Sequence, residues 1–223
     1  MAQGVSVIIP TLNEESVIAA AIQSAFQAGA VEVIVSDGGS SDRTATIAAG
    51  EGARVLTGST MRAAQMNQGA AEAKSPHLIF LHADSLLPLG AATMVEAALT
   101  TANFGGFRIS FTEQKASLRI AAFMINARTR LTRCPWGDQA QFIRRDCFLA
   151  QQGFREIPVM EDYEMAARMR RRGRTVILPA AVRTSGRRFL RLGVLRTAAR
   201  NWRIIAAFRR GADPADLART YKE

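Results

Sequence analysis

A chain of 223 residues, 48% of them hydrophobic and 22% charged, has enough apolar material for one large domain with a full core, or for two small ones. No run approaches the roughly 18 uncharged residues of a membrane-spanning helix, and Cys134 and Cys147, neither paired as CxxC nor near a His, read as ordinary thiols of a reducing cytoplasm. The net charge of +10 is uneven: residues 1–115 hold 6 Lys/Arg against 10 Asp/Glu, and residues 116–223 hold 23 against 9, so the two halves suit different partners.

Residues 5–9 read as a strand with no basic region or cleavage site before it, so no signal peptide is expected. A helix over 14–27, a strand over 32–36, a helix over 42–50, a strand over 54–57 and a helix over 61–73 follow. Leu78-Ile79-Phe80-Leu81, between Pro76 and Pro88, then reads as a strand buried on both faces. This alternation with short connections predicts an α/β fold on a parallel sheet with right-handed crossovers. Ligands of such sheets bind beyond the carboxyl ends of the strands.

Polar residues collect at those ends. They are Pro10-Thr11-Leu12-Asn13-Glu14-Glu15, Asp37-Gly38-Gly39-Ser40-Ser41-Asp42 and His82-Ala83-Asp84. Each cluster also has a local reading. Asn13 can cap the first helix, Thr11 and Glu14 have capping-box spacing, and Asp42 can cap the second helix. Asp37 closes its strand before the glycines and has no such duty. The glycines match neither G-x-G-x-x-G nor a P-loop. Asp84 either caps a turn or holds a cation, and carboxylates arriving from three strand ends favour the cation.

In the second half, residues 104–111 alternate as a strand in which Gly105-Gly106 allows close backbone approach. A helix spans 116–131 with Ile120, Phe123, Met124 and Ala127 on one side. Pro135-Trp136-Gly137-Asp138-Gln139 leads into 140–143, as the floor of an acceptor pocket or as a packed Trp beside a turn Asp. Met160-Glu161-Asp162-Tyr163-Glu164 precedes a helix over 165–172 that Gly173 ends; the helix dipole accounts for one or two of those acids. A strand over 175–178 follows. From Arg183 to Arg210 there are nine arginines and no acid. There Val194, Leu195, Ala198, Trp202, Ile205 and Ala206 share one helical face, and Arg196, Arg200 and Arg203 the opposite one. That segment reads as a solvated basic face on the core or a helix lying on an anionic membrane. Nucleic acid is the least favoured partner, since no recognition motif is present.

Val7-Ile8-Ile9-Pro10-Thr11-Leu12-Asn13-Glu14-Glu15 and Val35-Ser36-Asp37-Gly38-Gly39-Ser40-Ser41-Asp42-Arg43-Thr44 resemble the family 2 glycosyltransferases of the GT-A fold. Arg62-Ala63-Ala64-Gln65-Met66-Asn67-Gln68-Gly69 is similar to a third family element, and His82-Ala83-Asp84 falls where the family has Asp-x-Asp. The resemblance implies a mostly parallel central sheet with helices on both faces, in a catalytic domain over 1–184. Residues 1–115 would bind the nucleotide sugar, 116–184 the acceptor, and 185–223 would form a basic amphipathic helical segment.

It also implies roles. Pro10, Thr11, Asn13 and Glu14 line the nucleotide pocket, Asp37 hydrogen-bonds the base, and Arg62 approaches the nucleotide. Asp84 coordinates Mn²⁺ or Mg²⁺ bridging the diphosphate. His82 departs from the family's first acid; beside Ala83 it would ligate Mn²⁺ more readily than Mg²⁺, or contact ribose or phosphate. Gly153-Phe154 through Val159-Met160-Glu161-Asp162 resembles the acceptor-side segment, which makes Asp162 the catalytic base of an inverting transfer. Trp136, Asp138, Gln139 and Glu161 are expected at the acceptor, a small-molecule or lipid-linked hydroxyl, with Arg187 and Arg188 reaching the diphosphate. The Gln-x-x-Arg-Trp of processive members is absent, which implies transfer of a single sugar. The compact length, His82-Ala83-Asp84-Ser85 and Gly137-Asp138-Gln139 are similar to a small bacterial subgroup associated with arsenosugar biosynthesis gene clusters.

A cytoplasmic protein, able to sit peripherally at the inner face of the membrane, is the matching expectation. Two rivals share the architecture. A nucleotidyltransferase would want a basic first loop where Glu14 and Glu15 stand, and a membrane-surface binding module would keep the fold without turnover.

Overall fold

The computed structural model describes residues 4–222. Its elements run β1 (Val5–Thr11), α1 (Ile18–Gln27), β2 (Glu32–Asp37), α2 (Thr44–Gly50), β3 (Arg54–Thr57), α3 (Arg62–Glu72), β4 (His77–Phe80), β5 (Ser85–Leu86), α4 (Ala91–Leu99), β6 (Phe104–Phe111), α5 (Ala116–Thr132), β7 (Phe142–Arg144), α6 (Arg145–Ala150), α7 (Glu161–Arg172), β8 (Thr175–Thr184), α8 (Arg187–Leu192), α9 (Val194–Arg209) and α10 (Pro214–Lys222). A single 3-10 turn, Gly137–Gln139, sits before β7.

All eight strands join one sheet in the order β3-β2-β1-β4-β7-β6-β8-β5. β1 to β4 are mutually parallel, as the alternation predicts. β7 runs antiparallel between β4 and β6, and β8 lies parallel to β6. The sheet is therefore mostly parallel and mixed at its second half.

Strand periodicity assigns the two faces. Val5, Val7 and Ile9 of β1 point into a core shared with α1 and α4, while Ile8 points into a second core with α3, α6 and α7. In the second core Phe80, Phe148 and Phe154 pack ring against ring at 4.8–5.4 Å. Gly69 of α3 is required by contact: a Cβ there would lie 2.5 Å from Ile8 Cγ2, so α3 can lie close on β1 only without a side chain.

Several local expectations change. The first helix begins at Ile18 because Asn13, in the left-handed region at φ 55°, uses its side chain elsewhere. β8 runs on to Thr184, six residues past the expected end, because it resumes pairing with β6 at Ala181 after a bulge at Pro179 and Ala180 and meets β5 at Ser85↔Thr184. α5 runs one residue past its expected end, and the side carrying Ile120, Phe123 and Met124 is the one turned to solvent. The helix buries Leu118, Ala121 and Ala122 against Ile109 and Phe111. On α9, Thr197, Ile204 and Ile205 are buried, and Leu195 and Trp202 of the expected apolar face are exposed. No helix among the described residues is long and apolar enough to cross a membrane.

Candidate active site

The ends of β1 and β2 are tied into one edge. Ser41 N–H donates to Asn13 Oδ1 at 2.8 Å, and the amides of Asn13 and Glu14 donate to Ser40 Oγ and Thr44 Oγ1, each at 2.8 Å. Asn13 thus bridges two loops instead of capping a helix. Thr11 and Glu14 form no capping box, since Thr11 Oγ1 donates to Asp37 Oδ1 at 3.2 Å. Asp42 does satisfy an amide at the start of α2, that of Thr44.

Asp37 has the structural duty the sequence did not reveal. Its buried carboxylate accepts from the amides of Gly39 and Ser40 and from the Ser40 hydroxyl, which folds the turn. Pro10 lies at the carboxyl end of the β1–β2 pairing, one residue before the Thr11–Asp37 pair.

At the end of β4 the chain delivers His82, Ala83 and Asp84. Ala83 is buried in the core beneath α1 and α4. Asp84 Oδ2 lies 3.4 Å from Arg187 of α8, which also reaches Glu14 at 3.9 Å. Burial and the neighbouring Asp84 carboxylate push Glu14 above the usual carboxylate range, against the pull of Arg187.

His82 pairs with Arg62. Its Nε2 lies 3.3 Å from Arg62 Nη1, and because a guanidinium can only donate, that nitrogen is the acceptor. Burial, then the Arg62 charge, lowers its pKa to about 4, so the ring is neutral near pH 7. With its lone pair turned to Arg62, His82 orients that guanidinium in this structure. Arg62 is gripped on its other side by Glu161, whose Oε1 is 2.5 Å from Nε and from Nη2. Glu161 is buried and does not line the cleft, and what it touches is Arg62.

Asp162 follows Glu161 at the first turn of α7. Gly137 N–H donates to its Oδ2 at 2.7 Å, and Tyr163 N–H donates to its Oδ1 at 2.6 Å. Met160, just before, sits at φ 70° as a non-glycine residue, a strained backbone placed where α7 must begin abruptly. Gln141 Nε2 donates to the carbonyls of Pro135 and Asp162, tying the 3-10 turn to α7.

The 3-10 turn divides its own residues. Trp136 lines the cleft and carries the Arg128 guanidinium 3.4 Å above its ring centroid. Asp138 also lines the cleft; its Oδ1 is buried with no hydrogen-bond partner, and burial pushes its pKa up to about 6 against the pull of Arg128. Gln139, expected at the acceptor, is fully buried. Its Oε1 accepts from Trp136 N–H, Thr129 Oγ1 and Arg128, and its Nε2 donates to Phe107 O, so it holds the turn in shape.

These groups open on one cleft of about 330 Å³. Arg62, His82, Asp84, Asp138 and Asp162 supply its charged and titratable lining. Phe111, Ile125, Val159, Phe189, Ile204 and Ile205 supply its apolar lining. Thr197, Asn201, Ile204 and Ile205 arrive from α9, so the C-terminal segment roofs the cleft. No local motif marks those four, since only the fold brings them over Asp162.

Among the described residues no three Asp, Glu, His or Cys side chains converge as a preformed metal cage. The donor set still suits a hard cation held largely by substrate. Mg²⁺ is commonly bound by one or two carboxylates, with phosphates and waters completing its shell.

The model of the family described as Glycosyl transferase family 2 matches residues 6–149. No match is found among the curated proteins. Among solved structures, S. aureus TarS 1-349 superposes with a TM-score of 0.67 at 17% identity, over 82% of this chain and 61% of that one. Glucosyl-3-phosphoglycerate synthase from Mycobacterium tuberculosis, in complex with Mn²⁺, UDP and glucosyl-3-phosphoglycerate, superposes with a TM-score of 0.56 at 18% identity, over 80% of this chain and 70% of that one. The chain therefore spans less than two thirds of the TarS fragment it resembles. These likenesses show the fold, a mixed α/β fold of the GT-A type.

Proposed function

The chain belongs to glycosyl transferase family 2, and from that premise we propose that it transfers a single sugar from a nucleoside-diphosphate donor to a hydroxyl acceptor, with inversion at the anomeric carbon. The observation that carries the reading is the Asp162 carboxylate, anchored by two amides and facing the cleft that Asp84 and Arg62 also line.

A sugar hydroxyl is too weak an acid to attack unaided. Asp162 accepts its proton as the new C–O bond forms, while the bond from the anomeric carbon to the diphosphate oxygen breaks on the far face. One carboxylate on the attacking side and none forming a covalent intermediate gives inversion. Each oxygen of Asp162 has one amide donor, which fixes the carboxylate and leaves a lone pair for the proton.

Arg62 faces the developing charge on the leaving diphosphate, and His82 and Glu161 hold its fork in place. Asp84, with the donor's phosphates, would hold a divalent cation, which when bound neutralises charge on the departing diphosphate. The edge formed by Pro10, Thr11, Asn13, Glu14 and Asp37 would receive the nucleotide. The UDP, UDP-GlcNAc and Mn²⁺ or Mg²⁺ named in the TarS and synthase complexes support a donor and metal of this kind. Placement in the arsenosugar-associated subgroup extends the proposal and rests on His82-Ala83-Asp84-Ser85 and Gly137-Asp138-Gln139.

The test is incubation with a panel of UDP- and GDP-sugars and Mn²⁺, reading nucleoside diphosphate release and donor binding. Release with at least one donor is expected. Neither release nor binding with any of them overturns the reading.

A further inference from the structure

Four large apolar side chains of α5 face solvent. Ile120, Phe123, Met124 and Leu131 fall on one helical stripe and are 59%, 72%, 47% and 85% exposed, while Leu118, Ala121 and Ala122 of the same helix are buried. Beside it α9 exposes Leu195 at 80% and Trp202 at 57%. The two stripes adjoin, since Met124 and Trp202 line one groove of about 120 Å³ between the helices. That groove shares Ile125, Trp136, Phe189 and Asn201 with the active-site cleft, so the apolar surface runs continuously into the site. Isolated exposed apolar residues need no explanation, but a stripe on each of two adjacent helices marks an interaction surface.

Charge selects the partner. α5, α8 and α9 contain no Asp or Glu, and Arg119, Arg130, Arg191, Arg196 and Arg203 are exposed on them. A second copy of the chain, meeting this face with the same face, would set arginines against arginines. Nucleic acid would match the charge and leave Ile120, Leu131 and Leu195 without a use. An anionic bilayer matches both, with apolar side chains and Trp at the acyl boundary and guanidinium groups among the headgroups.

We propose that the α5–α9 face docks on an anionic lipid bilayer. Resting on the transferase reading above, this makes the acceptor a lipid-borne hydroxyl that reaches Asp162 along the groove.

The experiment is flotation of the full chain with phosphatidylcholine vesicles and with vesicles of phosphatidylcholine and phosphatidylglycerol, alongside light scattering and donor turnover without vesicles. Wild type floats with the anionic vesicles and not the neutral ones, and added salt weakens it. Phe123→Gln with Leu195→Gln, both fully tolerable at exposed positions that line neither cavity, loses about tenfold or more of that binding. Arg196→Glu with Arg203→Glu loses it as well, and Leu89→Gln, exposed elsewhere, does not. Absence of wild-type flotation, equal flotation on neutral vesicles, or a dimer that the Phe123 and Leu195 changes split, overturns the proposal. Donor turnover reads the transferase site separately: flotation without turnover of any donor sinks that reading and keeps the docking surface.

Discussion

Gly137 and Asp162 meet through a 2.7 Å hydrogen bond from the glycine amide to the carboxylate Oδ2, and the missing side chain of Gly137 is what lets them meet. A Cβ there would lie 2.9 Å from Asp162 Oδ2 and 2.7 Å from His82 Nε2. One glycine therefore brings the acceptor-side carboxylate and the Arg62-orienting imidazole to the same point.

Gly137→Ala is expected to lower turnover by about 10²-fold, the scale of a displacement near 1 Å at a reacting group. The Gly137 backbone is not in the left-handed region, so the fold should survive. Thermal melting by circular dichroism and kcat on one donor check this together. A variant that keeps both sets the Gly137 contacts outside catalysis.

Asp162→Asn should retain donor binding and lose about 10²- to 10⁴-fold in transfer, the range assigned to a general base. Asp84→Ala should instead lose the metal-dependent part of donor binding. Isothermal titration with nucleoside diphosphate, with and without Mn²⁺, separates them. Full activity in Asp162→Asn moves the base to another group.

Asp138 predicts a pH dependence of stability. Burial raises its pKa from the ordinary 3.8 to about 6. Between those values the folded chain holds a proton that the unfolded chain has released. Stability therefore falls as pH rises through that window, by up to about 3 kcal/mol at about 1.4 kcal/mol per pH unit, and the full cost is present above about pH 6. Urea unfolding in EDTA from pH 4 to 8 should show that decline in wild type and a flatter one in Asp138→Asn. Identical slopes would remove Asp138 as the source.

Gln139→Ala should cost about 2–4 kcal/mol, because it strands Arg128, Thr129, the Trp136 amide and the Phe107 carbonyl without their partner. Denaturant midpoints measure this. A change below about 0.5 kcal/mol would mean that the turn holds its own shape.

What could be seen from the chain alone follows from how local each determinant is. β3 and β6 fall on their expected residues because alternation and turn chemistry mark both ends. Motifs at strand and helix ends single out Asp84, Arg62 and Asp162, and the fold brings all three to one cleft. Asn13 misled because an N-cap and a bridge to Ser41 need the same side-chain oxygen, and only the neighbouring loop decides. Gln139 misled because a polar residue beside a site looks the same whether it faces inward or outward. Which side of α5 meets the core was not legible, because the helix packs through Leu118 and two alanines and leaves the stripe of Ile120 and Phe123 to solvent. Thr197 and Asn201 carried no signal, since their position over the cleft is a property of the chain's return.

The two-residue strand β5 has a further consequence. Ser85 pairs with Thr184, hydroxyl to hydroxyl at 2.9 Å, one residue after Asp84 and three before Arg187. Register along the last strand is thus a ruler for the 3.4 Å spacing of that aspartate and arginine. Inserting one residue near the end of β8 would turn Thr184 to the opposite face and carry Arg187 out of step. The separation of the two charges is counted out in the backbone, and no repacking of the arginine's own side chain could restore it.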